Sequence, residues 1–161
     1  MLAGDGPFGL SGEAVPPALV EALRLRLPVL GIEWGMHAIN AAFGGRPPVE
    51  VGGHAARHRL FLTMGGKVAQ TIGGAGVVAV EGRHRYGLTE ARRGHGLMST
   101  AFCVDDGVVE ALEVPGGDSW AIGVQWPAHL VDQLPTGFGN LVAEFVARAA
   151  TREEADTGQP A

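Results

Sequence analysis

The chain has 161 residues, 46% of them hydrophobic and 18% charged, enough for one globular domain with a sizeable core and too apolar for a disordered chain. A net charge of -5, with arginines grouped only at Arg83, Arg85, Arg92 and Arg93, argues against a general nucleic-acid binder. No apolar run reaches the length of a membrane span, "MLAGDGPFG" lacks the pattern of a signal peptide, and the lone Cys103 excludes an internal disulfide, so a cytoplasmic protein is expected.

In chain order, the first periodic segment is "GEAVPPALVEALRLRL". Pro16 and Pro17 suit a helix start, and Leu19, Ala22, Leu23 and Arg26 fall on one stripe, with the Arg26 stem closing it. Pro28 ends this helix and opens a short apolar strand through Val29, Leu30 and Ile32. A sharp turn bracketed by Gly31 and Gly35 follows, then a helix from Met36 to Phe43 that stops at Gly44-Gly45. "RPPVEVGGHAARH" reads as a loop. From Arg59 onward "RLFLTM", "KVAQTI", "GVVAVEG", "MSTAFCV", "VVEALEV" and "SWAIGVQW" read as short strands separated by Gly-rich turns. In "TGFGNLVAEFVARAA", Phe138, Leu141, Val142, Phe145, Val146 and Ala149 recur at helical spacing. The expected organisation is one α/β domain over residues 1–150 and a disordered polar tail over 151–161.

The strand, turn and helix of "LPVLGIEWGMHAI" have the shape of a nucleophile elbow with Glu33 at its tip. This stretch resembles the elbow of class I glutamine amidotransferases, a strand followed by Gly-Ile-Cys-x-Gly-Met-Gln and a helix. "AIGVQWPAH" is similar to the family's later strand, which ends Gly-Val-Gln-Trp/Phe-His-Pro-Glu. "EGRHRYGL", "PFGLSGEA" and "VVEALEVP" resemble segments of the glutaminase half of CTP synthase, in the same order. The resemblance implies a three-layer, flavodoxin-like α/β sheet. It also implies that the sheet is truncated at its N-terminus, since the chain begins at the family's oxyanion loop. It would attach the protein to pyrimidine nucleotide synthesis by similarity, with no ATP-dependent synthetase domain expected in these 161 residues.

The resemblance breaks where the chemistry lies. The family attacks the glutamine amide with a thiolate, moves protons through a histidine and orients that histidine with a carboxylate. The matching positions here are Glu33, Pro127 and His129. Proline has no titratable group. A carboxylate is a poor nucleophile toward an amide, because the adduct expels the carboxylate in preference to ammonia. The oxyanion loop matches at Gly6 and Pro7, and Pro7 lacks the N–H that the family's glycine donates. Such a donor is worth on the order of 10²–10³ in rate. His37 replaces the family's glutamine. The expectation is a catalytically degenerate protein that acts by binding or assembly. The alternatives are an enzyme of altered chemistry, with Glu33 as general base on a small amide or γ-glutamyl-like substrate, and a truncated product without a role.

Several residues admit two readings. Glu33 is either a functional acid or base, its charged form favoured by the helix N-terminus, or an electrostatic cap of that helix. His129 either reaches Glu33 or lies on the surface. Trp34 reads as a pocket wall or interface residue. The N–H groups near Gly35 and the side chains of His37, Arg83 and Arg85 are candidates for holding a small anionic or amino-acid ligand. The segment around His84 reads either as an anion-binding edge or as a solvated basic turn. Cys103 reads as a buried, inert thiol. The six histidines, His37, His54, His58, His84, His95 and His129, show no metal-ligand spacing, and no metal or cofactor is expected. An elbow strand beside an open sheet edge would pair with another chain, so a homo-oligomer or a partner subunit completing the sheet is expected.

Overall fold

The strand leading to Glu33, β2 (Val29–Glu33), is buried along its whole length, as a parallel strand covered by helices on both faces must be. In the computed structural model, which describes residues 1–4, 9 and 12–157, it lies inside a seven-stranded sheet. The other strands of that sheet are β1 (Leu2–Gly4), β4 (Arg57–Leu62), β5 (Gly76–Glu81), β7 (Met98–Cys103), β8 (Val109–Glu113) and β9 (Ala121–Val124). Their order is β1-β2-β9-β8-β7-β4-β5. β1, β2 and β9 run parallel, and the remaining neighbours pair antiparallel. A separate two-stranded ribbon joins β3 (Val49–Glu50) to β6 (Tyr86–Gly87).

Two cores flank the sheet. On one face, α1 (Pro17–Arg24) and α2 (Trp34–Ala42) bury Leu19, Met36 and Ile39 with Val29, Leu112 and Ala121. On the other, α3 (Lys67–Ile72) and α4 (Asn140–Thr157) bury Val68, Ile72 and Leu141 with Leu30, Ile32, Ile122 and Val124. This is the expected three-layer α/β arrangement, and alternate residues of β2 and β9 serve opposite cores. Gly31 and Gly123 are register partners on the α2 side. A Cβ on Gly31 would stand 2.5 Å from the Gly35 carbonyl oxygen, and one on Gly123 would stand 2.9 Å from Met36 Cγ. The paired glycines therefore form a flat patch on which the α2 backbone rests.

Several expectations are corrected. "KVAQTI" is the helix α3 and not a strand. Six residues are too few for periodicity to separate the two elements, and a distant residue decides. The buried Glu113 carboxylate on β8 accepts the Lys67 and Val68 N–H groups at 2.9 and 3.1 Å, supplying from outside the cap that Gly66 lacks. Lys67 Nζ returns to the Val114 and Gly116 carbonyls. Arg26 does not close the α1 stripe: the helix ends at Arg24, and Arg26 is exposed with φ 54. The segment read as a loop holds β3 and the first residues of β4. The tail expected from Thr151 is helical as far as Thr157. The open edge expected at β2 is covered by β1, which pairs Leu2–Gly4 with Gly31–Glu33.

Substitutions test this packing directly. Gly31→Ala must displace backbone and costs about 1–3 kcal/mol or more in urea unfolding. Gly52→Ala, which faces open space, stays within about 0.5 kcal/mol. Glu113→Ala orphans two N–H groups at about 1–3 kcal/mol each, and helix α3 loses amide-exchange protection before the sheet does.

Candidate functional site

The elbow is built by close approach. Gly31 admits the Gly35 backbone against β2, so the chain must reverse between them within the span of Glu33 and Trp34. Glu33 takes the strain, with φ 55 and ψ -114, a conformation that non-glycine residues adopt rarely. It is buried and makes no side-chain cap hydrogen bond to α2, so it is not a cap of the hydrogen-bonding kind. Trp34 is half-buried and packs on the α1–α2 core.

β9 lies beside β2, with Ile32 opposite Val124, so Glu33 and the segment Gln125–Trp126–Pro127 leave the carboxyl ends of neighbouring parallel strands. This is where open α/β sheets place ligands. Pro127 is buried and His129 is exposed, so His129 and Glu33 do not form one buried dyad. His37, in the first turns of α2, is buried, and burial holds its pKa down at about 4 although the nearby Gln125 amide favours the charged form. Among the described residues, neither ring nitrogen of His37 and neither amide atom of Gln125 has a hydrogen-bond partner. Gly35 is buried at the helix start. Arg83 and Arg85 are exposed on the connection between β5 and β6, where Arg83 donates to Gln133 Oε1 at 3.0 Å and the Arg85 carbonyl accepts from Val51 N–H. Gly6 and Pro7 lie outside the described residues.

A second constellation was not legible along the chain. His54, His58 and His84 converge on Glu110, and all four are buried. Glu110 Oε1 stands 2.9 Å from His54 Nδ1, 3.2 Å from His58 Nε2 and 3.4 Å from His84 Nε2. Three histidines that show no metal-ligand spacing along the chain thus meet in space, and the burial of His84 beside a carboxylate corrects its reading as an anion-binding edge or a solvated turn. The i, i+4 spacing of His54 and His58 is a weak signal without a helix, and here a loop and a strand carry the two rings. Glu110 reaches them through a β-bulge: Ala101 pairs with Ala111 and Phe102 with Val109, leaving Glu110 as the extra residue. Burial opposes charge on His54 and His58, but the Glu110 carboxylate outweighs it, with Asp106 adding at His54. The His54 pKa rises to about 9, and that of His58 also rises. Burial would raise the Glu110 pKa, yet the surrounding imidazoles hold it well below the usual carboxylate range. The group sits close to the elbow. The Gln125 N–H donates to the Glu110 carbonyl, and His84 acts electrostatically on His37. Cys103 is buried, and burial raises its pKa, consistent with an inert thiol. No helix among the described residues is long and apolar enough to cross a membrane.

Comparison with known proteins places this geometry. The chain matches the Peptidase C26 family over residues 13–129, which include the elbow and the segment through His129. A protein of Mycobacterium tuberculosis (strain ATCC 25618 / H37Rv) is 36% identical over 126 residues, covering 70% of this chain and 39% of the relative. One of Schizosaccharomyces pombe (strain 972 / ATCC 24843) is 32% identical over 128 residues, covering 71% of this chain and 48% of the relative. Both are named as glutamine amidotransferases, with the activity marked in each name as unproven. The chain spans less than half the length of these curated relatives. A solved structure from Thermoplasma acidophilum, described with the same reservation as a subunit of GMP synthase, superposes with a TM-score of 0.65 at 14% identity. The match covers 87% of this chain and 66% of the other, and it shows the shared fold alone. On the family match and the relatives together, the chain belongs to the Peptidase C26 family, which is class I glutamine amidotransferase-like.

Proposed function

We propose that this protein is a catalytically degenerate member of its family, which keeps the amidotransferase elbow and acts by binding or assembly instead of glutamine hydrolysis. The observation that carries this reading is the residue at the elbow tip. A buried carboxylate, Glu33, occupies the strained position that presents a nucleophile, and the neighbouring strand leads into a buried proline, Pro127. Covalent amide hydrolysis needs a nucleophile whose adduct expels ammonia, and a base to deliver protons to it. Glu33 fails the first requirement and Pro127 the second. His129, exposed, does not substitute as the buried partner of a base.

What such a site retains is its place at the carboxyl ends of parallel strands and the N–H groups of the α2 start. A small zwitterion suits this setting better than a simple anion, because Glu33 attracts an ammonium group while the helix start attracts a carboxylate. The finer likeness to CTP synthase, and through it to pyrimidine nucleotide synthesis, rests on the motif "EGRHRYGL" and its neighbours. Assembly with a second copy or a partner subunit rests on β1, a strand of three residues at the edge of the sheet.

The purified protein is expected to release no glutamate from glutamine above the uncatalysed rate. Glu33→Cys alone is expected to remain inactive and unlabelled by a glutamine-directed diazo-ketone, because the base is still absent. Glutamate release by the native protein that disappears in Glu33→Ala would overturn the reading, as would turnover restored by Glu33→Cys. Sedimentation of the native chain tests the assembly component: a monomer at micromolar concentration leaves binding alone.

A further inference from the structure

We propose that His54, His58, His84 and Glu110 form a structural metal site that takes one zinc ion per chain. The proposal is independent of the amidotransferase reading, since none of the four residues lies at the elbow.

A carbonyl or an ionised carboxylate accepts a hydrogen bond and cannot donate one. The Ala56 and Tyr86 carbonyls lie 3.0 Å from Nδ1 of His58 and of His84, so those nitrogens carry the ring protons. Asp106 Oδ2, 2.9 Å from His54 Nε2, fixes the proton there in the same way. The other nitrogens of His54 and His58 face Glu110 Oε1 at 2.9 and 3.2 Å, so without a metal each carries a second proton, and two imidazolium charges crowd beside the third ring in one buried space. A single divalent ion among the four ligand atoms takes the place of those protons. Two polar atoms mark the deficit: His84 Nε2 and Glu110 Oε2 have no hydrogen-bond partner among the described residues.

Metal-bound histidines ordinarily donate their other ring N–H to a carboxylate or a carbonyl, which orients the ring and fixes its tautomer. All three histidines here have such a partner. A tetrahedral ion with bonds of about 2.0 Å places its ligand atoms about 3.3 Å apart. The nitrogens already stand 2.9 to 3.4 Å from Glu110 Oε1, and all the ligand atoms lie within 4.8 Å of one another. Rotation of the rings supplies the remaining closure.

The donor set selects the ion. Three imidazoles and one carboxylate suit zinc, whereas magnesium and calcium require mostly oxygen. The side chains are 2%, 7%, 6% and 0% exposed in chain order, so no coordination position opens to solvent, as in structural sites. The ligands come from four places: the loop after β3, the strand β4, the connection from β5 to β6, and the bulge of β8. The β3–β6 ribbon holds the two loops side by side, and Gly82 lets them pass, since a Cβ there would meet the His54 carbonyl oxygen at 2.2 Å. An ion at the centre pins these connections to the sheet.

The test uses the full chain, without a histidine tag, from cells supplied with zinc. Elemental analysis is expected to give about one zinc per chain. Removal by a chelator is expected to lower Tm by about 10 °C, and added zinc to restore it. Cobalt added to the metal-free protein is expected to give the intense visible bands of a tetrahedral centre. His84→Ala or Glu110→Ala weakens zinc binding on the order of 100-fold or more, and Asp106→Asn, which neutralises the second partner of His54 and keeps an oxygen for the Val108 N–H, weakens it about 10–100-fold. His95→Ala, at an exposed histidine, leaves binding unchanged. Wild-type protein that is folded, binds no stoichiometric zinc or cobalt and melts at the same temperature with either would overturn the proposal, with protons then holding the cluster together. Binding that survives His84→Ala and Glu110→Ala but is lost in His95→Ala would overturn it equally, by placing the ion on the surface.

Discussion

The close contact of α2 with the glycine pair Gly31 and Gly123 is the constraint on which the rest of the site depends. Two adjacent strands present no side chain at one level of the sheet, so a helix backbone rests there directly. That contact brings Gly35 against β2 and leaves the chain too little length to turn without strain. The strain falls on Glu33, whose left-handed backbone lifts it to the tip of the elbow. The far end of α2 is fixed as well. Buried Asn40 donates to the Arg46 and Arg92 carbonyls at 3.1 Å and accepts from the Gly94 N–H at 2.8 Å. With both ends held, the helix cannot slide to relieve the elbow, and the geometry persists whatever residue occupies its tip.

Buried carboxylates organise the sheet next to it. β8 carries two, three residues apart, and each gathers different partners. Glu113 faces the start of α3 and accepts two backbone N–H groups, turning a segment of ambiguous pattern into a helix. Glu110, aimed by a bulge, gathers three imidazoles. A lone buried carboxylate is costly, so both positions are stable only with these partners in place. The partners come from elements far apart in sequence, and the strand thereby ties loops on one side and a helix on the other to a single register. The Gln125 N–H, bonded to the Glu110 carbonyl, carries that register on to the strand beside the elbow.

Local chemistry along the chain determined a good part of this protein. Pro16 and Pro17 start α1, the apolar run through Ile32 makes a buried strand, and Gly31 and Gly35 mark the bend between strand and helix, because each effect acts within a few residues. Glu33 and Pro127 were recognisable as substitutions for the same reason: the motifs around them are contiguous. Only the tertiary structure decided what depends on residues distant in sequence. "KVAQTI" is a helix because Glu113, 46 positions from Lys67, caps it. β2 is not an edge strand, because the short β1 pairs with it in parallel. His54 and His84 meet Glu110 because the β3–β6 ribbon and the β8 bulge bring them there, and no spacing along one chain encodes a point where a loop, a strand, a connection and a bulge converge.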